Sequence, residues 1–127
     1  KMAKEIIHTD QAPAAVGAYS QAVKAGNTVY LSGQIAIDPE TQEIIDGGVE
    51  EQAERVLKNL KAVLAAADCS FKDVVKTEIF LDDINDFAAV NSVYAEYFTE
   101  EQPARACVEV GSLPKGVAVE ISLVAVK

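Results

Sequence analysis

The sequence predicts an α+β fold, one mixed β-sheet with two helices packed on one face. Two stretches show helical spacing of apolar residues, and six short runs have strand composition. Their order along the chain is three strands, helix, strand, helix, two strands. A length of 127 residues with 50% hydrophobic content suits one domain with a real core, so residues 2–127 are expected to form a single domain without a linker. Lys1, ahead of Met2, reads as an addition to the chain and is set aside.

Each element has a local reason. Lys4 to His8, Ala22 to Ala25 and Thr28 to Ser32 read as strands, and Ala25-Gly26-Asn27-Thr28 reads as a hairpin turn because Gly-Asn accepts positive φ. From Glu51 to Ala67 the residues Ala53, Val56, Leu57, Leu60, Val63, Leu64 and Ala67 recur at i, i+3, i+4, i+7, the spacing of one helix face. Glu50 and Glu51 suit its first turn, and Asp68 can take the left-handed conformation that ends it. Val74 to Leu81 is a further strand. A second helix from Asp86 to Phe98 aligns Phe87, Val90, Tyr94 and Phe98, with Asn85 or Asp86 as cap and Asn91 one residue off the stripe. Ala104 to Val110 and Val117 to Val126 complete the strands, and no internal repeat stands out.

Composition removes several function classes. A formal net charge of −9 disfavours contact with a phosphate backbone, so nucleic acid is not the expected partner. Neither a signal peptide nor a membrane-length apolar run is expected, which predicts a soluble cytoplasmic protein with no membrane partner. Cys69 and Cys107 lack CxxC spacing and companion histidines, so neither disulfide nor metal site is expected. His8 is the only histidine, which removes Ser-His-Asp and Cys-His catalysis in their usual forms.

Val117 to Val126 is apolar on both parities. Val117, Val119, Ile121 and Leu123 lie on one side, Ala118, Val124 and Val126 on the other. Two helices cover only one side of a sheet, so the other is expected to pack against another subunit.

The candidate chemistry lies in the last two strands. A lone arginine, Arg105, interrupts Pro103 to Val110, and a lone carboxylate, Glu120, interrupts Val117 to Val126. Alternation puts Arg105, Cys107 and Glu109 on one face of their strand, and Glu120 with Ala118, Ser122 and Val124 on one face of the other. Two readings stand side by side: a structural ion pair at a subunit interface, or an anion site in which arginine grips a carboxylate and glutamate handles water. The spacing leaves open a simple hairpin or two strands separated by another. Gly33, in Ser32-Gly33-Gln34, would admit close backbone approach to a ligand, Tyr19 could cover a pocket, and Cys107 reads as a buried structural thiol.

Beyond these local readings, the chain resembles the Rid family of reactive intermediate deaminases, whose members have also been described as translation inhibitors or endoribonucleases. The resemblance rests on Ala12 to Gly17 with Tyr19-Ser20-Gln21, Ser32-Gly33-Gln34-Ile35, Asn59 to Leu64, Val75-Lys76-Thr77, Asp86-Phe87-Ala88 with Val90-Asn91, and Pro103-Ala104-Arg105 through Glu120. It implies a chorismate-mutase-like fold, a homotrimer with clefts at the subunit interfaces, and a last strand inserted between earlier ones. It implies membership of the deaminase subgroup marked by the arginine, here Arg105. The implied reaction hydrolyses 2-aminoacrylate and 2-aminocrotonate, or the imines 2-iminopropanoate and 2-iminobutanoate, released by pyridoxal-phosphate dehydratases. Arg105 would hold the substrate carboxylate and Glu120 the water. Tyr19, Ser32, Gly33, Asn91 and Cys107 would line the pocket, with no cofactor. Ala18, Ala106, Ser112 and Ser122 depart from the family pattern and bear on substrate preference. The competing expectation is a non-catalytic trimer that binds small carboxylates or regulates a partner.

Overall fold

The computed structural model describes residues 3–127, so Met2, the expected first residue of the domain, and Lys1 lie outside the described residues. Three strands open the chain, β1 (Glu5–Ile7), β2 (Ala22–Ala25) and β3 (Thr28–Gln34). Helix α1 (Val49–Ala66), strand β4 (Val74–Leu81), helix α2 (Phe87–Tyr97), strand β5 (Ala104–Glu109) and strand β6 (Val119–Val126) follow. They form one six-stranded sheet in the order β1-β2-β3-β6-β4-β5. Every pairing is antiparallel except β4 with β5. A parallel pair needs a crossover, and α2 supplies it. β4 therefore stands between the consecutive strands β5 and β6, and the simple hairpin is not formed.

The ends of α1 follow its sequence. Glu51 Oε1 accepts from the Gly48 amide at 2.8 Å at the start. At the end Asp68 adopts φ 61°, its amide bonds to Ala65 O at 3.0 Å and that of Cys69 to Leu64 O at 2.8 Å, which closes the helix in a Schellman motif. The capping of α2 differs from expectation. Asp86 occupies the cap position without a side-chain bond, because a 3₁₀ turn at Ile84–Asp86 precedes it with Asp83 accepting from the Asn85 amide at 2.9 Å. β3 runs two residues beyond Ser32, and β6 starts two later than expected, after a 3₁₀ turn at Pro114–Gly116. The hairpin turn forms as read, with Ala25 opposite Thr28 and Gly26 at φ 62°.

The core lies between the helices and one face of the sheet. Leu57, Leu60 and Leu64 of α1 are fully buried, as are Ile79 and Leu81 of β4 and Ile121 of β6. Each such side chain contributes about 1.5–3 kcal/mol by leaving water. Asn59 is also buried; its amide donates to Ile37 O at 2.9 Å and its oxygen accepts from Arg55 Nε at 3.1 Å, fastening the loop after β3 to α1.

The opposite sheet face is uncovered. Ile6, Tyr30, Val108 and Val126 remain 54%, 54%, 46% and 42% exposed, an apolar surface of the kind that another protein surface covers. Strand β5 is an edge strand, and Cys107, read as buried, is only partly so, the rest of the strand being exposed. Among the described residues no helix is long and apolar enough to cross a membrane.

Candidate functional site

The strand register assigns Arg105 and Glu120 to opposite faces. Arg105 and Cys107 lie beside Thr77 and Ile79 of β4, which point under the helices, so both face the helix side. Glu120 lies opposite Phe80, between the buried Val119 and Ile121, and faces the open side. An intrachain ion pair is thereby prevented, and among the described residues no salt bridge involves either group.

On the helix side the guanidinium of Arg105 rests against α2. Its Nη1 donates to Asn91 Oδ1 at 2.7 Å, and its central carbon lies 4.9 Å from the Tyr94 ring centroid and 5.3 Å from that of Phe87. Cation–π contact and a charge-assisted hydrogen bond favour this placement. Tyr94 is buried, its hydroxyl is 2.8 Å from Thr77 Oγ1, and burial pushes its phenol above the ordinary range. Beside these groups opens a cleft of about 450 Å³ that Asn91, Ala95, Gln102 and Pro103 also line. Burial raises the Cys107 thiol, with Arg105 opposing the shift, which fits a structural thiol rather than a nucleophile.

On the open side a larger cleft of about 630 Å³ is lined by Pro13, Tyr19, Ser32, Gly33, Lys115 and Glu120, among others. Glu120 is half-buried, makes no salt bridge among the described residues, and burial pushes its carboxyl above the usual carboxylate range. A bulge in β3 brings Gly33 against it, since Leu31 pairs Leu123 but Gln34 pairs Ile121. A Cβ at Gly33 would collide with the Glu120 carboxyl, so a larger residue there must displace that side chain.

The loop carrying Tyr19 is tied to β3. Ser32 Oγ donates to Ser20 O at 2.6 Å. The Gln21 side chain accepts from the Thr9 amide at 2.7 Å and donates to Thr9 O at 3.0 Å and Pro13 O at 2.8 Å. Gln42 Oε1 accepts from the Ala14 amide at 3.1 Å, which holds a second point. Tyr19 itself is 53% exposed.

The seven residues singled out from sequence thus fall into two groups within one chain, Arg105, Asn91 and Cys107 on one face, and Tyr19, Ser32, Gly33 and Glu120 around the other cleft. Sequence reading missed Lys115 in the Glu120 cleft, where it sits at φ 58° before Gly116. The Pro114-Lys115-Gly116 turn was its available signal. Gln21 and Gln42 were missed because their partners lie 12 and 28 residues away.

A six-stranded sheet that presents an arginine cleft on one face and a carboxylate cleft on the other defines a small α+β domain with two polar clefts. Residues 9–127 match the family model described as Endoribonuclease L-PSP. The chain belongs to this family, the RutC/Rid family. A RutC family protein of Pyrococcus abyssi is 53% identical over 126 residues, covering 99% of both chains. A 2-iminobutanoate/2-iminopropanoate deaminase of Rattus norvegicus is 51% identical over 124 residues, covering 98% of this chain and 90% of that one. The crystal structure of E. coli TdcF with bound serine matches with a TM-score of 0.92 at 44% identity, covering 97% of this chain and 98% of that one.

Proposed function

We propose that this chain is a 2-iminobutanoate/2-iminopropanoate deaminase of the arginine-bearing Rid subgroup, acting in the cytoplasm as a homotrimer with clefts between subunits. The observation that carries the reading is the division of Arg105 and Glu120 between opposite faces of one sheet. A second copy completes each site, with Arg105, Asn91 and Cys107 from one chain meeting Tyr19, Ser32, Gly33 and Glu120 of the next. The uncovered apolar face and the 51% identity to the rat deaminase support it.

In this reading pyridoxal-phosphate dehydratases supply the imine or its enamine tautomer. Arg105 holds the substrate carboxylate by paired hydrogen bonds and so fixes the imine carbon. Glu120 accepts a proton from water as the water oxygen bonds to that carbon, giving a carbinolamine. Glu120 returns that proton to the nitrogen. The C–N bond then breaks with its electron pair going to nitrogen, Glu120 takes the hydroxyl proton as the C=O bond forms and passes it to the departing ammonia, and a 2-oxo acid and ammonium leave. A carboxyl raised by burial suits proton exchange nearer neutral pH than an ordinary glutamate does. A protonated imine is already electrophilic, so the scheme calls for no cofactor. Ribonuclease chemistry finds less support: the net charge is −9, and His8 is exposed and paired with Asp10 at 3.1 Å.

The test generates 2-iminopropanoate in situ with a serine or threonine dehydratase and traps it with semicarbazide. Suppression of the adduct by the intact protein, lost in Arg105→Ala and Glu120→Ala, is the expected result. Unchanged adduct formation with the intact protein would favour the non-catalytic carboxylate-binding reading.

A further inference from the structure

Arg105 projects from an exposed edge strand, where a long side chain ordinarily samples many rotamers. Here it is held on several sides. Asn91 accepts from Nη1 at 2.7 Å, while Tyr94 and Phe87 present their rings to the guanidinium carbon at 4.9 and 5.3 Å. Tyr94 is fixed in turn. It is 4% exposed, stacks on Phe98 with centroids 4.4 Å apart, and bonds Thr77, the residue beside Arg105 in the β4–β5 register. The platform beneath the arginine is therefore anchored to the adjacent strand. Asn91 takes Nη1, and the Tyr94 hydroxyl also lies close enough to Arg105 to interact with it. A guanidinium held in this way presents its Nε–Nη2 edge, which matches a carboxylate.

We propose that Asn91 and Tyr94 are positioning residues that occupy Nη1 and one face of the Arg105 guanidinium, so that its Nε–Nη2 edge receives the substrate carboxylate. This rests on reading Arg105 as a carboxylate clamp. Asn91 then acts through Arg105 and does not itself bind substrate. Changing it to aspartate keeps the shape but places an anion on the guanidinium, where it competes with the ligand. Aspartate therefore harms binding more than alanine, an order that loss of packing alone would not produce.

The test is calorimetric titration of the intact protein with 2-oxobutanoate, a non-reacting 2-oxo acid, alongside melting temperatures. Affinity is expected to fall about tenfold in Asn91→Ala, further in Asn91→Asp and only a few-fold in Tyr94→Phe, which keeps the ring but loses the Thr77 bond. Ser92→Ala, next to Asn91 but outside the clefts, is expected to bind normally. Should Asn91→Ala lose stability, the near-isosteric Asn91→Asp still reports. Wild-type affinity in both Asn91 variants, or no binding to the intact protein, overturns the proposal. The trap assay on the same preparations separates the two readings. Suppression of adduct with Asn91-independent binding removes only the positioning role, whereas Asn91-dependent binding without suppression removes only the deaminase reading.

Discussion

The Arg105 cleft holds an exposed cation that is gripped by an amide and two aromatic rings. In the Glu120 cleft, by contrast, the carboxyl is half-buried against Gly33, makes no salt bridge among the described residues although Lys115 lines the same cleft, and is raised by burial. In the proposed reading the first region holds the anion and the second supplies the proton acceptor. The sheet between them keeps the two charges from neutralising each other within a chain. An intrachain salt bridge would lower the carboxyl and occupy the guanidinium, removing what each side contributes.

The largest effects should come from emptying either cleft. Arg105→Ala and Glu120→Ala are each expected to lower deaminase turnover by about 10²–10⁴-fold, with melting temperatures near that of the parent protein. A loss confined to one of them would break the symmetry of the comparison. Gly33→Ala addresses the Glu120 side alone. Its new methyl must displace the carboxyl, and a fall in kcat/KM of about 10- to 100-fold is expected, with 2-oxobutanoate binding at Arg105 largely kept. Equal loss of binding would show that the two clefts are not separable.

Smaller effects follow from pH. Glu120 must be ionised to accept a proton, so kcat/KM should fall on the acid side through a midpoint above the usual carboxylate range, and this limb should vanish in Glu120→Gln. The linkage sign for stability runs the other way. Because the folded state holds the Glu120 proton more tightly than the unfolded chain, stability falls as pH rises from the usual carboxylate range through the raised folded value. Glu120→Gln should therefore melt slightly above the parent at neutral pH, with the difference disappearing in acid. Since the group is half exposed, the effect is the smallest expected here. A lower melting point for the variant would mean that Arg105 of the neighbouring copy outweighs the effect of burial on the carboxylate.

How far the sequence carries varies by element. Helix α1 was legible almost to its ends because its seven apolar positions obey one period and Asp68 marks the stop. Alternation likewise grouped Arg105 with Cys107 on one face of β5 and isolated Glu120 from the apolar side of β6. Which sheet face each set occupies was not legible locally. That depends on β5 pairing in parallel with β4 while β6 inserts between β3 and β4, contacts between residues far apart in sequence. The resemblance to the Rid family supplied the inserted strand. Asp83, not Asp86, makes the side-chain cap before α2 because the chain enters through a 3₁₀ turn, a choice that depends on tertiary context. Likewise, the crowding at Gly33 comes from the Glu120 side chain, 87 positions away.

Subunit mixing tests the central claim, that each working site draws Arg105 and Glu120 from different copies. Arg105→Ala and Glu120→Ala proteins, each inactive alone, would be unfolded together, refolded as a 1:1 mixture and assayed for suppression of the semicarbazide adduct, with light scattering for mass. The account predicts a trimer in which about a quarter of the sites regain both groups, and activity recovers in proportion. A trimer that stays as inactive as its parents, or a monomer at micromolar concentration, would contradict it.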